Sequence, residues 1–319
     1  MQESDETYIN DLAAYLSECR ICPRKCGVNR LAGECGYCGQ TAEIVAARAA
    51  LHYWEEPCIS GTNGSGAVFF SGCNLRCVYC QNREIALSKR GQTVSVPHLA
   101  EIFLSLQQQK AHNINLVTAT HYIPQVHSAL LLAKQQGLTI PVVYNTGSYE
   151  EVDSLRMLDG LIDIYLPDLK YLSAETGARF SNAPDYFEKA FAALKEMLRQ
   201  VGRPVFDKQT GLMKRGMIVR HLLLPGMTGE SKRILRRLHE TFGNDIYISI
   251  MNQYTPMPQL KNMPAMADID RKVTDDEYRR LLDFADMIGI ELGFCQEGDT
   301  AKESFIPPFN GEGLIDNPR

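Results

Sequence analysis

No apolar run in this chain approaches the ~18 consecutive residues that a membrane span requires. Its opening residues, M-Q-E-S-D-E-T-Y, are acidic and polar, so they do not read as a secretory leader. No charge of one sign dominates. The net charge of -5 and pI near 5.9 argue against a general nucleic-acid binder and leave room only for a local basic patch. No internal repeat or low-complexity segment is present. Cysteine is almost missing from residues 81–319, where Cys295 stands alone. A secreted disulfide scaffold would be short and would carry a leader. What remains is a 319-residue chain, 45% apolar and 22% charged, which suits one barrel-sized domain and a short module. A large chain with one dense thiol zone reads as a reduced, metal-binding, cytoplasmic protein.

That zone holds nine of the ten cysteines, between Cys19 and Cys80. It ends in the stretch Val68 to Asn82, V-F-F-S-G-C-N-L-R-C-V-Y-C-Q-N. An apolar run leads into Cys73, Cys77 and Cys80, spaced C-x3-C-x2-C, and Gly72 allows a sharp turn before them. Three thiolates this close can converge on one metal centre. A structural zinc or electron-transfer cluster takes four protein ligands, whereas a catalytic metal keeps one position open. The expected arrangement is a 4Fe-4S cluster with three irons held and the fourth free. A disulfide cluster or a zinc loop is the plainer alternative.

The triad, with Tyr79 just before its last cysteine, resembles the cluster motif of the radical S-adenosylmethionine (SAM) superfamily. The longer string G-C-N-L-R-C-V-Y-C-Q-N resembles proteins related to the pyruvate formate-lyase activating enzyme. The resemblance implies that the amino and carboxylate groups of SAM chelate the open iron. It implies reductive cleavage of SAM to a 5′-deoxyadenosyl radical, which abstracts hydrogen. A reducing flavodoxin or ferredoxin is the implied electron donor, and a glycyl-radical protein is one implied substrate. An exposed cluster of this kind suits an oxygen-poor setting.

The first part of the chain carries a second cysteine group. Residues 5–18 have a helical pattern, followed by C-R-I-C-P-R-K-C-G-V-N-R-L-A-G-E-C-G-Y-C. Cys19, Cys22, Cys26, Cys35 and Cys38 fall within 20 residues, among glycines and a proline that favour tight knuckles. Two C-x2-C pairs across a loop are a metal signal, and either zinc or a second iron-sulfur cluster takes such a set. Arg20, Arg24, Lys25 and Arg30 would favour thiolates. This string is similar to the front of an uncharacterised branch of the same relatives, which implies Cys22, Cys26 and Cys38 as ligands, then Cys19, with Cys35 spare. Cys58 and Cys295 receive no role.

Residues 41–58 read as a strand and connector; their His52, Glu55 and Glu56 are a set that could bind metal, but with Trp54 they read rather as a packed surface turn. The glycine-rich stretch 61–66 lacks the following helix of a phosphate loop and reads as a hinge. Beyond it, strand patterns at 67–70, 115–118, 141–144, 162–166, 217–224 and 245–251, with a weaker one at 288–294, alternate with helical patterns. That alternation implies parallel strands with helical crossovers. Six units are too few to close an eight-stranded barrel. The expected fold is therefore α/β: an open, partial (β/α)6 TIM-like barrel with a small N-terminal Cys-rich metal module. The expected divisions are 1–60 for the module and connector, 61–295 for the barrel, and 296–319 for a Pro/Gly-rich tail over the surface.

In such barrels the chemistry sits at the C-terminal strand ends. Those ends are polar here, which suggests one cofactor pocket. The activating enzymes usually supply amine acceptors from a G-G-E-P-like segment after the second strand; here T-A-T-H-Y-I-P stands instead, making Thr118, Thr120 and His121 the candidates. The resemblance adds Asn145 and Thr146 at the third tip, Asp168 and Lys170 at the fourth, and Arg220 on the fifth strand. It also has Tyr79 approach the adenine through its backbone. His121 and His221 are candidate proton carriers, although a lone histidine is more often a satisfied structural residue. The competing function is an iron-sulfur electron-transfer or scaffold protein that never cleaves SAM.

Overall fold

The computed structural model describes residues 13–87, 90–295 and 307–314. The expected helix at 5–18 lies partly outside this range; its described part is helical over 13–17. The tail expected at 296–319 is described only over 307–314.

One sheet of ten strands organises the molecule. Its parallel run is β2 (Ser65–Phe70), β4 (Ile114–Val117), β5 (Val142–Thr146), β6 (Ile164–Pro167), β8 (Met213–Leu222), β9 (Tyr247–Met251) and β10 (Gly293–Cys295). Strand β1 (Ile44–His52) pairs antiparallel with β2, and β3 (Gln92–Val94) pairs with β1. Two-residue β7 (Val205–Phe206) hangs off β8. The order β10-β9-β8-β6-β5-β4-β2-β1-β3 does not close, so this is the open, partial (β/α) barrel expected from the alternation. Strands β2, β4, β5 and β6 are buried along their whole length, which is why they read as short continuous apolar runs.

The crossover helices are amphipathic: α1 (Val96–Gln108), α2 (Ile123–Gln135), α3 (Val152–Arg156), α4 (Ala174–Ser181), α5 (Tyr186–Val201), α6 (Thr228–Phe242) and α7 (Asp275–Met287). In α5 the buried positions Ala190, Ala193, Leu194, Met197 and Val201 recur at helical spacing and face the sheet. Helix α7 begins with a full capping box, Thr274 with Glu277. Helix α4 was not expected; it lies in the β6–α5 connection.

Strand β1 carries seven buried residues of nine and extends the barrel sheet. The expected division at residue 60 thus falls between two strands of one sheet, and Ser65 and Gly66 of the expected hinge already pair within it. Residues 307–314 lie against β1: Gly311 N donates to Ala47 O at 3.0 Å, and Ala49 N donates to Glu312 O at 2.8 Å.

Candidate active site

Strand β2 ends at Phe70, and Gly72 turns the chain with φ +87°. A Cβ there would stand 2.5 Å from Gln40 Cγ and 2.9 Å from Cys38 O, so only glycine fits. The following loop brings Cys73, Cys77 and Cys80 to one cavity of about 460 Å³. That volume lies in the range of roughly 300–1,000 Å³ usual for small-molecule sites. Thr118, Asn145, Thr146, Asp168, Lys170 and Arg220 line the same cavity, as does Tyr79. The chemistry-bearing ends of β2, β4, β5, β6, β8 and β9 therefore do meet in one mouth.

The wall opposite the cysteines is a charged network. Arg220 donates from Nε to Asp168 Oδ1 at 2.9 Å, and from its two terminal nitrogens to Glu55 Oε2 at 3.1 Å and Asn145 Oδ1 at 2.6 Å. Lys170 Nζ donates to Asp168 Oδ2 at 2.6 Å. Burial pushes the Asp168 carboxyl up, but Arg220 and Lys170 outweigh it and hold the group below its ordinary value. Glu55 Oε1 also accepts from Asn115 Nδ2 and Asn145 Nδ2. The Asp-x-Lys pair is thus no surface ornament; each side chain is less than a fifth exposed.

Three expectations meet corrections. Thr120 does not reach the cavity: its hydroxyl donates to Glu150 Oε1 at 2.6 Å in the interior. His121 does not either; its Nε2 meets Ser71 O at 2.7 Å, and burial lowers its pKa to about 3, keeping the ring neutral. Both lie on a 3-10 turn, Thr120–Tyr122, that follows β4 at once and folds their side chains back under the sheet. The segment His52–Glu56, read as a surface turn, supplies His52, Trp54, Glu55 and Glu56 to the cavity lining. Glu55 is the functional-site residue that the sequence concealed, because its partners Asn115, Asn145 and Arg220 are far away in the chain. His221 is a satisfied structural histidine, bonded to Leu169 O and Ser231 Oγ.

The radical SAM superfamily model matches residues 67–238. The chain belongs to the radical SAM superfamily. An uncharacterized protein of Methanocaldococcus jannaschii is 27% identical over 281 residues, covering 86% of this chain and 76% of that protein. Among solved structures, a radical SAM methyltransferase from Sphaerobacter thermophilus aligns with a TM-score of 0.51 at 12% identity, over 73% of this chain and 66% of that one. SuiB of Streptococcus suis bound to S-adenosylmethionine aligns with a TM-score of 0.47 at 12% identity, over 72% of this chain and 50% of that one. This chain thus spans just under two thirds of the methyltransferase and half of SuiB. The methyltransferase likeness bears on the fold alone. Among the described residues no helix is long and apolar enough to cross a membrane.

Membership of the radical SAM superfamily implies a 4Fe-4S cluster and SAM, and the residues here fit both. Each triad sulfur is met by a donor: Leu75 N–H to Cys73 at 3.4 Å, Ser181 Oγ to Cys77 at 3.0 Å, and the Asn82 backbone N–H to Cys80. Burial, then mutual repulsion with Cys77 and Cys73, pushes the Cys80 thiol up to about 12. Such a group becomes a thiolate only beside a cationic centre, which an iron cluster provides. The Ser181 hydroxyl is one end of a chain: Tyr79 to Tyr171 at 2.7 Å, Tyr171 to Ser181 at 2.8 Å, Ser181 to Cys77. This chain fixes Tyr79 in the cavity wall against Phe180 and Tyr254.

Proposed function

We propose that the chain is a SAM-cleaving enzyme whose 4Fe-4S cluster is held by Cys73, Cys77 and Cys80. When bound, the cluster and SAM would supply one-electron cleavage of the sulfonium to methionine and a 5′-deoxyadenosyl radical, the species that abstracts hydrogen from a C–H bond. The supporting observation is that three free cysteines after β2 and the polar ends of five further strands line one cavity of cofactor size. Asp168, Lys170, Arg220, Asn145 and Thr146 would hold the polar groups of SAM, because they present both donors and acceptors on a buried wall. Arg220 suits an anionic group and Asp168 a ribose diol or ammonium. Thr118 stays among these contacts; Thr120 and His121 leave it. Burial in the cavity keeps water from the radical.

As substrate, a protein glycine, the hydrogen donor of the activating enzymes, rests on the likeness of G-C-N-L-R-C-V-Y-C-Q-N alone, and none of the three similar proteins named above is described by that activity. A flavodoxin or ferredoxin would supply the electron. The test is anaerobic: reconstituted protein, SAM and dithionite under argon, with 5′-deoxyadenosine measured. Release above the level of a Cys73→Ala/Cys77→Ala/Cys80→Ala variant is expected. No product above that control leaves only the electron-transfer or scaffold reading.

A further inference from the structure

The front cysteines are not used by the chemistry above, yet four of them share one neighbourhood. Cys22 lies within electrostatic reach of Cys19 and Cys38, and Cys38 within reach of Cys19 and Cys26. None forms a disulfide. Every one of the four sulfurs meets an N–H donor: Cys26 from Tyr37 N at 3.2 Å, Cys22 from the Arg24 backbone, Cys38 from the Gln40 backbone, and Cys19 from an Arg30 terminal nitrogen at 4.0 Å. Fanning amides onto sulfurs is how metal-bound thiolates are stabilised. Cys35 stands apart, exposed, with its sulfur toward Gly33 O.

Arg30 is the second observation. It is 1% exposed, and its guanidinium meets Thr41 O, His121 O and Cys19. Among the described residues it has no carboxylate partner. A buried cation without a counter-charge is costly. An anionic thiolate group beside it removes that cost.

Four cysteines suit either a single zinc or a 4Fe-4S cluster, which takes one cysteine at each iron. Of the two only the cluster carries electrons, so the place of the module decides between them.

Position supplies the role. The module's outer ligand, Cys26, is exposed, and its inner ligand, Cys38, is buried. Cys38 O and Gln40 press on Gly72, next to Cys73. Arg24 Nε donates to Asn74 O at 2.8 Å, and Tyr37 Oη to Leu75 O at 3.5 Å. The module therefore bridges the surface and the loop that carries the first triad.

We propose that Cys19, Cys22, Cys26 and Cys38 hold a second 4Fe-4S cluster that relays electrons from a surface donor to the Cys73 loop. One electron leaves a low-potential flavodoxin or ferredoxin and reduces this cluster. The same electron moves on, reoxidising it, and is consumed in breaking one carbon–sulfur bond of SAM. No proton is taken up in the relay. The role rests on the proposed triad cluster, but the site does not.

The test uses full-length protein reconstituted anaerobically as wild type, as the triad alanine variant, and as Cys22→Ala/Cys26→Ala. Iron, acid-labile sulfide and zinc are counted, and dithionite-reduced samples are examined by electron paramagnetic resonance. The triad variant is expected to keep about four irons and a reducible cluster signal, and wild type about twice that iron. Zinc without iron in the triad variant overturns the proposal, whatever the fate of SAM cleavage. Bleaching of the visible cluster band then reads the relay: flavodoxin should reduce the Cys22/Cys26 variant more than tenfold more slowly, relative to dithionite, than it reduces wild type. An unchanged ratio overturns the relay. If that variant does not fold, iron in the triad variant still decides the cluster.

Discussion

Arg220 and Glu55 meet across the cavity at 3.1 Å although 165 residues separate them in the chain. One comes from β8 and the other from the turn after β1. Their contact ties the strand that precedes the barrel to its far side.

Replacing Arg220 with Ala leaves Glu55 as a buried carboxylate without its cation and Asp168 with Lys170 alone. The expected loss is about 3–5 kcal/mol of stability at neutral pH. The pH dependence has a definite sign. Because Asp168 has a lowered value in the fold, its contribution is present above the unfolded carboxylate range and is lost as pH falls through the folded value. In the variant, acid protonates the orphaned carboxylate, so its deficit should shrink on acidification. Denaturant unfolding at neutral and mildly acidic pH checks this; a deficit that does not change with pH would sink the idea.

Glu150 is fully interior, 1% exposed, and its Oε1 accepts from Thr120, Tyr144 and Thr146. Burial raises its carboxyl from 4.5 to about 7. A raised acid weakens the fold as pH climbs from the unfolded value to the folded one, here by about 3 kcal/mol at 1.36 kcal/mol per pH unit. Glu150→Gln should flatten this decline and match wild type at acid pH. Melting temperatures across that interval measure it, and parallel curves for the two proteins would refute it.

Ser181→Ala removes the hydroxyl that donates to Cys77 and accepts from Tyr171. Hydrogen bonds to cluster sulfurs favour the more negative, reduced form. The triad cluster should therefore become harder to reduce, with a lower midpoint in a redox titration followed by electron paramagnetic resonance. An unchanged or higher midpoint would show that the hydroxyl does not bear on the cluster.

Much of this arrangement was legible because it is local. Short apolar runs marked β2, β4, β5 and β6, and the residues just beyond them supplied Asn145 and Asp168. The same reasoning overreached after β4, where an immediate 3-10 turn carries Thr120 and His121 inward. No local pattern announces such a turn. Strand β1, A-A-R-A-A-L-H, is legible as a strand but not as a member of the barrel sheet, because alanines on both faces give no alternation. Glu55 stayed hidden for a different reason. A carboxylate beside Trp54 and Pro57 looks like any solvated turn until Arg220 arrives from β8.

Strand β1 also shows what the tail segment does. Strand β3 covers only Ile44 to Ala46 of its outer side. Gly311 and Glu312 bond Ala47 and Ala49, Arg48 pairs with Glu312 at 2.9 Å, and Gly313 lies so close to Ala49 O that any side chain there would collide. An uncovered strand edge invites a strand from another copy. Residues 311–313 occupy that berth, so the sheet guards its own flank against self-association. Clipping them away would expose a sticky seam at residues 47–49 of β1.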